Sequence, residues 1–99
     1  MDKLYFNEYK IVCKKLENKL KNIFIGDNEF GFKIPQTKPD SFFITLERYN
    51  NLIGFIYVSQ INQTYEISCI YIHKDFRRQG FAVSLINYLD IKYIGKKVK

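Results

Sequence analysis

Three apolar rhythms divide the chain. From Leu4 to Ile23, Tyr5, Tyr9, Val12, Leu16, Leu20 and Ile23 recur every three or four residues, while Lys10, Lys14, Lys15, Lys19 and Lys21 fall largely off that stripe. Such spacing is that of a helix with one buried face, and it predicts an amphipathic helix over 4–22 with Asp2 as its N-cap. Residues 41–48, 52–60 and 66–73 are instead rich in Phe, Ile, Val, Tyr and Thr, with apolar residues on both faces. They predict three strands joined by a tight turn at Asn50-Asn51 and a polar connection at 61–64, an antiparallel meander covered on both sides. Helical spacing returns over 79–94 through Ala82, Leu85, Ile86, Leu89 and Tyr93, with Gly95 as a stop and a frayed tail over 96–99. Residues 23–41 read as irregular, punctuated by Gly26-Asp27-Asn28, Pro35 and Pro39, with a short strand over Phe30–Ile34.

The order helix, meander, helix within 99 residues predicts one α+β domain spanning 1–99. An apolar fraction of 46% is enough for a core, and without tryptophan that core leans on 9 Phe and 8 Tyr. The net charge of +6 comes mostly from lysines scattered along the first helix and the tail. It admits anionic partners such as a nucleotide cofactor, a nucleic acid or an acidic surface. Without an organised stripe of arginines and aromatics it is a weak nucleic-acid signal. Cys13 and Cys69 do not make a disulfide framework, which points to a reducing, cytoplasmic setting. The only histidine is His73, so Cys–His metal spacing is absent and no metal is expected. No run is long enough to span a membrane, and the first residues lack a signal-peptide core.

The chemistry concentrates between the last strand and the last helix, at Arg77-Arg78-Gln79-Gly80-Phe81-Ala82. A glycine at a strand-to-helix turn lets the backbone approach a ligand, and the first helical turn offers unpaired N–H groups and a positive dipole end. Two arginines and a glutamine add side-chain donors, so the junction suits a phosphate group. A lone glycine here is often only a structural turn. No Gly-Lys-Ser/Thr follows, which excludes a Walker loop, and hairpin-linked strands exclude a dinucleotide fingerprint.

Residues 70–82, Ile-Tyr-Ile-His-Lys-Asp-Phe-Arg-Arg-Gln-Gly-Phe-Ala, resemble the acyl-CoA signature of the GNAT superfamily of N-acetyltransferases. Arg77 matches its first position, Gly80 its central glycine and Ala82 its small terminal residue. The hairpin containing Leu52-Ile53-Gly54-Phe55-Ile56 looks like the paired strands that precede the motif, so the resemblance covers about residues 41–94. It implies a GNAT-like fold and an acetyl-CoA-dependent N-acetyltransferase acting on a primary amine of a small molecule, a protein lysine or an N-terminus. Backbone N–H groups of Arg78, Gln79, Gly80 and Ala82 would cradle the pyrophosphate of coenzyme A, with Phe81 in the same turn and charge from Arg77 or Arg78. Backbone groups of Ile70, Tyr71 and Ile72 would pair with the pantetheine arm, and a main-chain N–H near Tyr71 or Ile72 would polarise the thioester carbonyl.

Acetyl transfer needs a neutral amine and therefore a base. Glu66, 11 residues before Arg77, corresponds to the catalytic glutamate of the histone acetyltransferase branch; it reads equally as a solvated strand-end residue paired with a lysine. Glu47 is a second candidate. Cys69 reads as a buried strand thiol rather than a nucleophile, and His73 as a strand-end surface residue. Family members continue past the motif helix with a further strand and helix that wall the coenzyme groove. This sequence stops at Lys99 without them, and it opens on a predicted helix where members open on a strand. An exposed edge beside the third strand then predicts a homodimer. The alternative reading is a non-catalytic module of the same fold that binds coenzyme A, a partner protein or nucleic acid.

Overall fold

The computed structural model describes residues 3–11, 13–23, 40–49, 51–62, 64–93 and 97–98. Strand β1 (Tyr5–Tyr9) leads to helix α1 (Lys14–Ile23), then to strands β2 (Ser41–Arg48), β3 (Asn51–Ile61) and β4 (Thr64–Ile72). A single 3₁₀ turn (Lys74–Phe76) precedes helix α2 (Phe81–Lys92), and a two-residue strand β5 (Lys97–Val98) follows. The sheet order is β1-β2-β3-β4-β5, antiparallel throughout except that β5 runs parallel to β4.

The expected helix over 4–22 is two elements. Its first part is β1, whose Tyr5, Asn7 and Tyr9 pair with Glu47, Thr45 and Phe43 of β2. A spacing of four keeps residues on one face in a strand as well as in a helix, so Tyr5 and Tyr9 fit both periods. Only Leu16, Leu20 and Ile23 hold the helical stripe, and all three are buried. The chain thus opens on a strand. The tail is not wholly frayed, because Lys97 and Val98 pair with Thr64 and Tyr65. Asp2, Val12, the turn at 26–28, the strand over 30–34, both prolines and Gly95 lie outside the described residues.

The meander forms as its apolar pattern requires. Phe43, Leu52, Phe55, Tyr57 and Tyr71 face α1, while Phe42, Ile44, Leu46, Ile53, Ile56, Val58 and Tyr65 face Leu85 and Leu89 of α2. The tight turn lies one residue earlier than expected. Arg48 pairs with Asn51, and Tyr49 takes a left-handed backbone with φ of 51°. For a residue with a Cβ this conformation is disfavoured by about 1–2 kcal/mol.

Two irregularities shape the sheet. The register slips between Leu46 and Glu47 of β2, and again where Tyr57 faces Cys69 but Val58 faces Ile67. The second leaves Ser68 as an extra residue, a β-bulge in the middle of β4. It places Glu66, opposite Ser59, on the same side as Cys69 and Tyr71, toward α1.

Candidate functional site

β4, the loop after it and the start of α2 enclose a cleft of about 510 Å³. Its walls are Ile70, Tyr71 and Ile72 from the strand, Phe76, Arg77, Arg78 and Gly80 from the loop, and Phe81, Ala82 and Val83 from the helix. Eight of the nine residues expected to hold the cofactor meet here; Gln79 does not line the cleft, and its amide donates back to the Asp75 carbonyl at 3.4 Å.

The loop bends sharply because Arg78 (φ 64°) and Gly80 (φ 82°) are both left-handed. Gly80 is the N-cap of α2 and offers no side-chain cap, and the first helical bond of the turn runs from the Ser84 N–H to the Gly80 carbonyl at 3.0 Å. The N–H groups before Ser84 therefore lack intrahelical partners and sit at the positive end of the helix dipole. A Cβ built on Gly80 would meet nothing within 4 Å, so the backbone there faces open space. This is the surface an anionic group can approach, and it fits a pyrophosphate.

The two arginines differ. Arg77 Nε donates to the Ile72 carbonyl at 2.9 Å, and its guanidinium lies 5.3 Å from the Tyr71 ring centroid, which ties the loop to the end of β4. Arg78 is exposed at the rim. His73 accepts a bond from the Asp75 N–H at 3.1 Å and caps the 3₁₀ turn, a local structural role. Gly54 shapes the cleft from behind: a Cβ on it would lie 2.8 Å from the Tyr71 carbonyl oxygen and would overlap Ile72 Cδ1.

The acid–base candidates are elsewhere. Glu66 is exposed on β4, away from the cleft lining, and makes no ion pair among the described residues. Next to it, the Ser59 and Ser68 hydroxyls lie 3.2 Å apart. Burial raises the Cys69 thiol above its ordinary value, which keeps it protonated and poorly nucleophilic. Glu47 is buried under α1 in an ion pair with Lys19, and also accepts from Thr45 Oγ1 at 2.6 Å, Asn7 Nδ2 at 2.9 Å and Tyr9 Oη at 3.2 Å. Burial pushes this carboxyl upward, but the bonds from Lys19, Thr45 and Asn7 outweigh it and hold the group below its ordinary value. Both oxygens are engaged, so Glu47 is built as a structural anion.

A second network had no sequence signal. Glu8 of β1 accepts from Tyr93 Oη at 2.6 Å, Lys92 Nζ at 2.7 Å and Tyr88 Oη at 3.3 Å, fastening β1 to α2. Burial raises the Glu8 carboxyl, and the bonds and charge from Lys92 and Tyr93 bring it below its ordinary value. These partners stand about eighty residues apart in the chain, beyond any local pattern. Among the described residues no group of three His, Cys, Asp or Glu could hold a metal, and no helix is long and apolar enough to cross a membrane.

Comparison with known proteins agrees with this architecture. The fold is shared with the ribosomal-protein-alanine N-acetyltransferase of Brucella melitensis biovar Abortus 2308 (TM-score 0.73, 15% identity, 97% of this chain and 78% of that one). It is shared with the E. coli protein YhhK bound to coenzyme A (TM-score 0.69, 12% identity, 94% and 70% covered). A third likeness is to the aminoglycoside acetyltransferase meta-AAC0020 from an uncultured soil metagenomic sample, in complex with sisomicin (TM-score 0.67, 15% identity, 97% and 75% covered). No curated protein sequence gives a significant match. The model of the acetyltransferase (GNAT) family matches residues 9–96, from the end of β1 past the end of α2, and with the glycine-capped cleft at the end of β4 it establishes that the chain belongs to this family.

Proposed function

We propose that the chain is an acetyl-CoA-dependent N-acetyltransferase acting on a primary amine, of a small molecule or of a protein lysine or N-terminus, in the cytoplasm. The observation that carries this reading is Gly80: a left-handed N-cap with open space over its α-carbon, at the mouth of a cleft bounded by β4. The N–H groups of Arg78, Gln79, Gly80 and Ala82 hold the pyrophosphate, and Arg78 adds charge. β5 covers only Thr64 and Tyr65, so the outer edge of β4 beyond them can receive the pantetheine arm as an added strand.

The bulge favours a thioester near Ser68. Counted along β3, where Ser59 faces Glu66 and Phe55 faces Tyr71, at about 3.3 Å per residue Glu66 is about 13 Å from Tyr71 but only about 7 Å from Ser68. Glu66 can therefore serve as base, through a water, for a thioester carbonyl beside Ser68 and not for one beside Tyr71. Glu66 takes the proton from the ammonium; the neutral nitrogen adds to the carbonyl carbon, the C–S bond breaks with sulfur leaving as thiolate, and the proton that the acylated nitrogen sheds passes through water to that thiolate, giving free thiol and amide.

Acetyl-CoA is expected to raise the melting temperature, and Gly80→Asp to abolish the rise, since its Cβ at φ 82° is strained and its charge repels phosphate. Release of free thiol from acetyl-CoA in the presence of a panel of amines tests the transfer. No thermal shift at millimolar acetyl-CoA overturns the reading. A second reading, a non-catalytic module that binds coenzyme A, is favoured by one observation: among the described residues the cleft lining holds no carboxylate, histidine or cysteine. A thermal shift without thiol release selects it.

A further inference from the structure

A second cleft, of about 690 Å³, opens on the α1 side at the β1 edge of the sheet. Lys3 and Tyr5 form one wall, Lys15 and Lys19 of α1 another, Glu47 the floor, and Tyr49 reaches it from the β2–β3 turn. It shares no residue with the cleft over 70–83. β1 stands three strands from β4, about 14 Å across the sheet, so one small ligand does not serve both.

The charge of this cleft is unbalanced. Glu47 is already matched by Lys19, and its oxygens are filled by Asn7, Tyr9 and Thr45. Lys3 and Lys15 form no ion pair among the described residues, so two ammonium groups face the space uncompensated. Such a concavity draws an anion. The rim adds a second, independent feature. Tyr49 is 67% exposed although it holds a left-handed backbone, and Asn50 and Asn51, which tolerate that conformation better, follow directly. The position keeps a ring at a conformational disadvantage, the kind of strain that collects at ligand sites. Tyr5, 54% exposed, lines the same space. Ammonium groups beside exposed aromatic rings match a ligand with a phosphate and a flat base.

We infer that this cleft binds a nucleotide, its base stacked on Tyr5 or Tyr49 and its phosphate held by Lys3 and Lys15. The unit is either a free nucleotide or part of a single-stranded nucleic acid, and the chemistry at the protein is the same.

Calorimetric titrations with adenosine monophosphate, inorganic phosphate and a single-stranded oligothymidylate test it. Adenosine monophosphate binds saturably and more tightly than phosphate. Lys15→Glu weakens it about tenfold or more, whereas Lys21→Glu, on the same helix outside the cleft, leaves it unchanged. Tyr5→Ala weakens binding about tenfold while Tyr5→Phe, which keeps the ring, leaves it unchanged, a split that a ring with no part in stacking would not produce. Tighter, steeply salt-dependent binding of the oligonucleotide identifies nucleic acid as the source; preference for the mononucleotide identifies a free nucleotide. Because adenosine is also part of coenzyme A, the titration is repeated on Gly80→Asp. Binding lost there but kept in Lys15→Glu places the nucleotide in the β4 cleft and overturns the inference, as does phosphate binding equal to that of adenosine monophosphate. The acetyl-CoA thermal shift of Lys15→Glu stays at its unsubstituted value, so failure of one site is not read as failure of the other.

Discussion

Glu47 and Lys19 show how much one buried pair can govern. Both side chains are at least nine-tenths buried, so removing one leaves the other charged without a counter-ion. Lys19→Met is expected to destabilise the protein by about 3–5 kcal/mol in urea unfolding, and the double variant with Glu47→Leu to recover most of that. Acid follows the same logic. The folded Glu47 carboxyl lies below its ordinary value of 4.5, so its contribution is present above the unfolded value and is lost as pH falls through the folded one. Glu8 adds to the same loss. The melting temperature should thus hold from neutral pH down to about 4.5 and fall below it; a profile flat to pH 2 would contradict the pair's role. Lys19, pushed down by burial but raised above 10.5 on balance by its bond to Glu47, gives stability present below that value and lost at higher pH. At the proposed site, Glu66→Gln should lower kcat by about 10²–10⁴-fold with the acetyl-CoA thermal shift intact; an unchanged kcat removes Glu66 as the base. All nine residues named for the cofactor lie on one short run, 70–82, which folds back on itself, so the meeting of eight of them in one cleft was legible in the sequence. Glu47 could not be read correctly, since Lys19, Tyr9 and Asn7 are 28, 38 and 40 positions away.

At the scale of elements, close approach of β3 and β4 depends on Gly54. Gly54→Ala forces a methyl against the Tyr71 carbonyl, which is main chain and cannot swing aside, so a loss of about 1–3 kcal/mol is expected in chemical denaturation. Should the variant be as stable as the parent, the two strands are more compliant than their spacing indicates. The meander was legible because each strand carries apolar residues on both faces, the mark of a sheet buried on both sides. β1 was not, because Tyr5 and Tyr9 satisfy two periods at once and their true partners, Glu47 and Phe43, arrive only after α1. The bulge at Ser68 was equally hidden: strict alternation puts Glu66 with Ile70, whereas the extra residue puts it with Cys69.

For the whole molecule, the two sheet edges set what can be joined to it. Among the described residues only Thr64 and Tyr65 of the outer edge of β4 are paired, by β5, and β1 is the opposite edge. With the first reserved for the coenzyme arm, the homodimer expected from an exposed edge is proposed through β1. Light scattering should give twice 11.9 kDa, and a monomer mass at every concentration removes that proposal. The two clefts also differ in how they are strung along the chain. One is a single run, residues 70–83, closed by neighbours in sequence. The other gathers residues 3–7, 15–19 and 47–49 and exists only while three distant segments are docked. Closing such long loops carries an entropy that a local turn does not. Local opening of β1 would therefore erase the lysine–tyrosine cleft while the glycine-capped one persists, so the two sites should part company in hydrogen exchange well before the molecule unfolds.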